Sequence, residues 1–204
     1  MLPKYRPHDA DCIEALDGSL LLKSRAGLGP SPQRTTDWLE KWAIERPDAV
    51  FLAERSGPGW REITYRAARQ MARGLAAGLL EVGLDGNQPI LIVSGNSVNH
   101  GLLALAAQYA GVPIVPLAEQ YALIPDAHAQ IDYVADLVRP GMVFAEDGDL
   151  LSGVLDRDIF SKTLKFVCKG GPASALRFDK LVLNSVDVSD TTAQVGPDTV
   201  AKIL

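Results

Sequence analysis

The chain has 204 residues, of which 47% are hydrophobic and 22% charged, with a net charge of −5. A chain this long holds one large domain, or a domain with an extension, and can bury about 70% of its unfolded surface. The acidic balance, with no cluster of Lys and Arg, argues against nucleic acid and anionic membrane as partners, and no apolar run nears the ~18 residues of a membrane span.

The amino terminus, MLPKYRPHDADCIEALDG, lacks the apolar stretch of a signal peptide. With two distant cysteines, Cys12 and Cys168, and no CxxC, the expectation is free thiols in a reducing, cytoplasmic setting. Residues 1–35 read as an irregular arm with one short strand in GSLLLKS. TTDWLEKWAIERPD then predicts a helix with Thr36 as its N-cap, Asp37 in the first turn and Pro47 enforcing the stop. Trp38, Leu39, Trp42 and Ala43 share one of its faces.

AVFLAERSGPGWREITY predicts a hairpin, because two β-prone runs flank Ser56-Gly57-Pro58-Gly59. RAARQMARGLAAGLLEVGL repeats apolar residues at helical spacing, with Arg66, Arg69 and Arg73 off that stripe on a solvated face. Gly74 and Gly78 form a GxxxG, which in a helix bearing three arginines signifies close packing in a water-soluble fold, not a membrane dimer. QPILIVSGNS is a continuous apolar strand, the mark of a parallel strand covered on both faces. VNHGLLALAAQYAG (a buried helix), VPIVPL (strand), DAHAQIDYVADLVRP (helix) and MVFAEDG (strand) follow.

That succession predicts an α/β fold: an open, mostly parallel sheet with flanking helices around a βαβαβ core. The core spans residues 36–147. Residues 148–204 form an extension in which KTLKFVC reads as a strand, LRFDKLVLNS is ambiguous between strand and helix, and GPDTVAKIL reads as a turn feeding a last strand.

Little of the sequence announces chemistry. GxGxxG, GxxxxGK[ST] and GxSxG are all missing, and His8, His100 and His128 show no metal-ligand spacing. These residues yield no catalytic, cofactor-binding or metal assignment. One constellation has a physical argument. SGNSVNH follows a buried strand and opens a helix, which gathers Ser94, Asn96, Ser97 and His100 at the carboxyl edge of the sheet, where open α/β sheets bind ligands. A simpler reading stands beside it: Asn96 or Ser97 caps the helix, and His100 is a half-exposed polar residue of the first turn.

Taken in order, WLEKWAIERPDAVFLAER, GWREITYRAARQMARGLAAGLLEVGL, ILIVSGNSVNHGLLALAAQYAGVPIVPL and DLVRPGMVFAEDG resemble the amino-terminal subdomain of adenylate-forming acyl-CoA synthetases. The SGNS…H…LALAA…YAGVP stretch and the PGMVFAEDG ending are most similar to the feruloyl-CoA synthase-like group. The resemblance covers roughly residues 15 to 204 and is weakest between about 148 and 190.

It implies an ATP- and Mg²⁺-dependent ligase. A small aryl or acyl carboxylate is adenylated and then transferred to coenzyme A. In such enzymes a Ser/Thr/Gly-rich phosphate loop, of the type TSGSTGxPKG, follows a strand shaped like DTVAKIL. No such loop occurs in these residues. The expectation is therefore an amino-terminal fragment that is inactive alone and ends at Leu204 on a cut edge. Asn96 and His100 are expected on the substrate side. LAEQYALIPDAHAQIDYV keeps Tyr121, Asp126 and His128, but has Ala118-Glu119-Gln120 where the family commonly has a Ser-Pro-type turn, which bears on the acid accepted. The alternatives are a free-standing α/β small-ligand-binding module, or an interaction protein that self-associates through exposed apolar surface.

Overall fold

Continuous apolar runs become parallel strands with a hydrophobic layer on each side in a computed structural model that describes residues 9–183 and 187–204. The described part of Met1–Pro32 is one unit and Gln33–Leu204 a second, larger one. His8 and the first residues of the arm lie outside the described residues.

In the first unit β1 (Ala10–Glu14) and β2 (Leu20–Ser24) form an antiparallel ribbon. The strand expected in GSLLLKS is β2. Arg25 donates from Nε to Asp11 at 2.7 Å.

In the second unit α1 (Thr36–Glu45) begins differently from the sequence expectation. Thr35 occupies the N-cap position without a side-chain capping bond, its Oγ1 donating to Gln108 instead, and Thr36 is buried with its Oγ1 unpartnered. The helix start is held instead by Asp37, which accepts from the Arg34 backbone N–H at 3.1 Å and from its Nε at 2.9 Å. This carboxylate caps no first-turn N–H; it suits the positive end of the helix and ties the preceding Arg34 to it. Leu39 and Ala43 are buried, whereas Trp38 stays 52% exposed.

β3 (Val50–Ser56) and β4 (Gly59–Thr64) form the hairpin, closed by a two-residue Gly57-Pro58 turn with Gly57 at φ +59°. Thr64 caps α2 (Tyr65–Glu81) by accepting from the Ala67 N–H at 3.3 Å. The arginines of α2 divide. Arg66 is exposed, but Arg69 and Arg73 fold onto Glu40 of α1, at 2.7 and 3.3 Å. The Tyr109 hydroxyl donates to the same carboxylate at 2.7 Å. Burial, followed by Glu40, pushes the Tyr109 phenol well above its ordinary range.

The main sheet contains β5 (Ile90–Ile92), β6 (Ile114–Pro116), β7 (Met142–Asp147), β8 (Leu164–Lys169) and β9 (Leu176–Arg177), ordered β6-β5-β7-β8-β9 with every pair parallel. Side chains alternate across it. Ile90, Ile92, Ile114, Met142, Phe144 and Phe166 pack in the layer of α2 and α3 (Val98–Ala110). Leu91, Val93, Val115, Val143, Ala145 and Val167 face the layer formed with α4 (Glu119–Leu123), α5 (His128–Val138) and α6 (Ser152–Leu155). The inner strands β5 and β7 are apolar at successive positions because both of their faces are covered.

The two glycines of α2 mark a backbone crossing. Leu183 N–H donates to the Gly74 carbonyl at 2.9 Å, and a Cβ on Gly78 would lie 1.7 Å from the Leu181 carbonyl oxygen. The ambiguous LRFDKLVLNS thus supplies the short β9 and a single helical turn, Phe178–Leu181, laid across α2, with Asn184 and Ser185 outside the described residues. A further helix, α7 (Ser189–Gln194), follows. The expected last strand is reduced to one parallel bridge, Ile114 to Lys202. Two backbone bonds flank it, from Ile114 N–H to Ala201 and from Ile203 N–H to Ile114. No helix among the described residues is long and apolar enough to cross a membrane.

Candidate functional site

The loop 93–97 leaves the carboxyl end of β5 and enters α3. Ser94 is buried, and its Oγ accepts from the Glu146 N–H at 3.3 Å. Ser97 is the N-cap, accepting from the His100 N–H at 3.0 Å. Asn96, between them, is exposed. His100 is half-buried, with Nδ1 3.2 Å from the Gly95 carbonyl oxygen. The four residues singled out in the sequence therefore do sit on one edge, with distinct tasks: Ser94 and Ser97 shape the loop, while Asn96 and His100 stand at its rim.

A polar cluster missed in the sequence holds this edge. Glu146, at the carboxyl end of β7, accepts from Ser97 Oγ and from Asn99 Nδ2, each at 2.8 Å. Asn99 Oδ1 accepts from Arg61 of β4 at 3.0 Å. Arg61 also pairs with Glu54 of β3 at 2.8 Å, and the other Glu54 oxygen accepts the Val98 N–H at 2.7 Å. Two carboxylates thus meet the amino end of α3, where free N–H groups and the helix dipole favour negative charge. The hairpin, α3 and β7 are tied together through four side chains.

Cys168 of β8 borders the cluster, its Sγ 3.2 Å from Asn99 Nδ2. Burial, with the Glu146 carboxylate beside it, pushes the Cys168 thiol up to about 12. Because the fold favours the neutral thiol, its contribution to stability is complete below the ordinary value of 9.0 and is lost as pH rises toward about 12. Cys12, by contrast, is exposed. With Ellman's reagent at about pH 8, one thiol per chain should react within minutes, and the second only on unfolding or at least ~10-fold more slowly, since the thiolate is the nucleophile. Two equally fast thiols would contradict this placement.

Glu119, at the start of α4, lies over Gly95, where an added Cβ would meet its Oε2 at 2.8 Å. The edge is consequently rich in acceptors: the carboxylates of Glu54 and Glu146 are engaged by donors, and that of Glu119 flanks the loop. Tyr121 and Asp126 are exposed, and His128 Nε2 lies 3.0 Å from the Ala122 carbonyl, joining α4 to α5. Among the described residues no three His, Cys, Asp or Glu side chains converge as a metal would need.

The AMP-binding enzyme profile matches residues 39–203. Among solved structures, the chain is similar to a benzoate CoA ligase from Burkholderia xenovorans LB400, at 23% identity and a TM-score of 0.66, over 84% of this chain and 32% of that one. It is also similar to a fatty acyl-adenylate ligase from L. pneumophila, at 14% identity and a TM-score of 0.62, over 85% and 28%. A third similar structure is a luciferase-like enzyme from the mealworm Zophobas morio, at 17% identity and a TM-score of 0.60, over 84% and 38%. At these identities the likeness speaks for the fold, and the chain spans only about a third of the length of these proteins. No curated protein sequence matches the chain.

Proposed function

The chain belongs to the AMP-binding enzyme family, and from that membership we propose that it forms the acid-binding side of an acid–coenzyme A ligase of the feruloyl-CoA synthase-like kind. In that reaction a carboxylate oxygen attacks the α-phosphorus of ATP, and the bond to pyrophosphate breaks. The thiol sulfur of coenzyme A then attacks the acyl carbonyl, and AMP leaves. ATP and coenzyme A as co-substrates accord with a cytoplasmic setting.

The observation that carries the reading is the clasped β5–α3 loop at the carboxyl edge of a parallel sheet, with Asn96 and His100 on its rim. Ligands of open α/β sheets bind at this edge. We assign Asn96 and His100 to contact with the acid substrate. The acceptor-rich surround suits the neutral, hydroxylated aryl end of a ferulate-like acid better than its carboxylate, which Glu119 would repel.

Ferulate titrated into the ¹⁵N-labelled chain should shift the amides of residues 94–101 saturably. Asn96→Ala and His100→Ala should each weaken that response by roughly 3–10-fold, the loss of about one hydrogen bond. Saturable shifts confined to other residues, or responses unaltered in both variants, would discard the assignment. Mixed with ATP, Mg²⁺, ferulate and coenzyme A, the chain should release no pyrophosphate. Its residues include no Ser/Thr/Gly-rich phosphate loop, and losing even one preorganised donor typically costs ~10²–10³ in rate. Pyrophosphate release above the uncatalysed background would overturn that part.

A further inference from the structure

At the amino end of the sheet, opposite the loop just described, a cleft of about 570 Å³ opens between the carboxyl ends of α2 and α5 and the starts of β7 and β8. Leu84 contributes to its apolar wall, and Gln88, Asp136, Arg139, Lys162 and Thr163 bring polar groups to it. Its size lies within the range of small-molecule sites. Several cations elsewhere in the fold are paired: Arg157 with Asp132, Lys169 with Asp147 at 2.9 Å, Arg34 with Asp37 at 2.9 Å. Arg139 and Lys162 have no carboxylate within ion-pair distance among the described residues.

The backbone at Arg139 adds an independent observation. It ends α5 at φ 47°, ψ 65° and is the one non-glycine residue at positive φ among the described residues. Glycine is the residue that takes this helix-ending conformation without cost. A long cation on the lining of the cleft is held there against the local preference. Strain of this kind marks positions where the side chain has a task.

We propose that this cleft binds a phosphate monoester. The donors are a guanidinium fork, an ammonium, a hydroxyl and an amide. Together they outnumber what the two oxygens of a carboxylate can accept, and they suit the three terminal oxygens of a phosphate. Asp136, the one carboxylate on the lining, is placed to accept from a hydroxyl elsewhere on the same ligand. Leu84 packs against its carbon skeleton. The site is separate from the acid-binding edge and does not rest on the function proposed for it.

The test titrates inorganic phosphate, glycerol 3-phosphate and acetate into the ¹⁵N-labelled full chain. Both phosphates should shift the amides of Arg139, Gly141 and Thr163 saturably, with the glycerol ester binding more tightly and acetate at least ~10-fold more weakly. Raising salt from about 0.05 to 0.3 M should weaken phosphate binding. Arg139→Gly and Lys162→Gln should each lower affinity by about 10-fold or more. Arg139→Gly removes the strained side chain and should leave the melting temperature unchanged or higher, so that a loss of binding is not a loss of fold. Shifts that do not saturate, shifts centred on other residues, equal response to acetate, or unchanged affinity in both variants would each overturn the proposal.

Discussion

Replacing Gly78 by alanine is expected to abolish the native fold of the chain, or to leave it soluble only at low temperature. The added methyl carbon would be built 1.7 Å from the Leu181 carbonyl oxygen and 2.7 Å from the carbonyl carbon. Neither atom can move alone. Leu181 is buried and closes the turn Phe178–Leu181, and the next segment is fastened to Gly74 by the Leu183 N–H. Relief requires the whole 178–183 crossing to lift from α2, exposing Phe178, which packs 4.9 Å from Phe144 of the central strand. Overpacking in a tight site costs about 1–3 kcal/mol or more, and displacing a buried aromatic adds about as much again. Since alanine otherwise favours a helix interior by ~1 kcal/mol over glycine, the sign of the result is decisive. Urea unfolding followed by circular dichroism checks it. A variant as stable as the parent would mean that the crossing does not exist. Gly83→Ala, where an added Cβ meets nothing within 4 Å and only the positive φ of 85° opposes it, should cost less, about 1–2 kcal/mol.

Replacing Glu146 by alanine should cost about 2–3 kcal/mol and lower the melting temperature by roughly 5–10 °C, while speeding the labelling of Cys168. The carboxylate accepts from Ser97 and Asn99 at 2.8 Å, and without it the amino end of α3 loses its partner from β7. The same carboxylate helps hold the Cys168 thiol up, so its removal lets that thiol ionise more readily. Glu146→Gln separates charge from shape. It keeps one acceptor oxygen but turns an amide donor toward a donor, and should fall between the parent and Glu146→Ala on both readouts. Stability loss with unaltered labelling of Cys168 would show that Glu146 acts by packing alone.

Much of the fold was legible because it rests on local pattern. The run at Ile90–Val93, the hairpin around Gly57-Pro58 and the apolar stripe of α2 each write their environment into neighbouring residues. What was not legible depends on partners distant in sequence. Asn99 lies in SGNSVNH, yet nothing nearby in sequence signals that its amide will meet Arg61, 38 residues away, and Glu146, 47 residues away. The period of α2 puts Arg69 and Arg73 on a solvated face, because period alone cannot show that Glu40 of α1 waits beside them. Residue type suggests Thr36 as an N-cap but not which of two adjacent threonines turns inward. The strand expected near the carboxyl terminus makes one bridge, since pairing depends on a neighbour and not on β propensity.

The chain of bonds from Glu54 through Arg61 and Asn99 to Glu146 has an evolutionary corollary. Each member spends its donors or acceptors on the next, so a change at one position leaves a half-buried polar group without a complement on another element. Substitution at any one should be tolerated mainly in company with the others. In related sequences the four positions should accordingly be inherited as a block, swapped together for an apolar set or kept together. They should drift far less independently than the exposed Asn96 beside them.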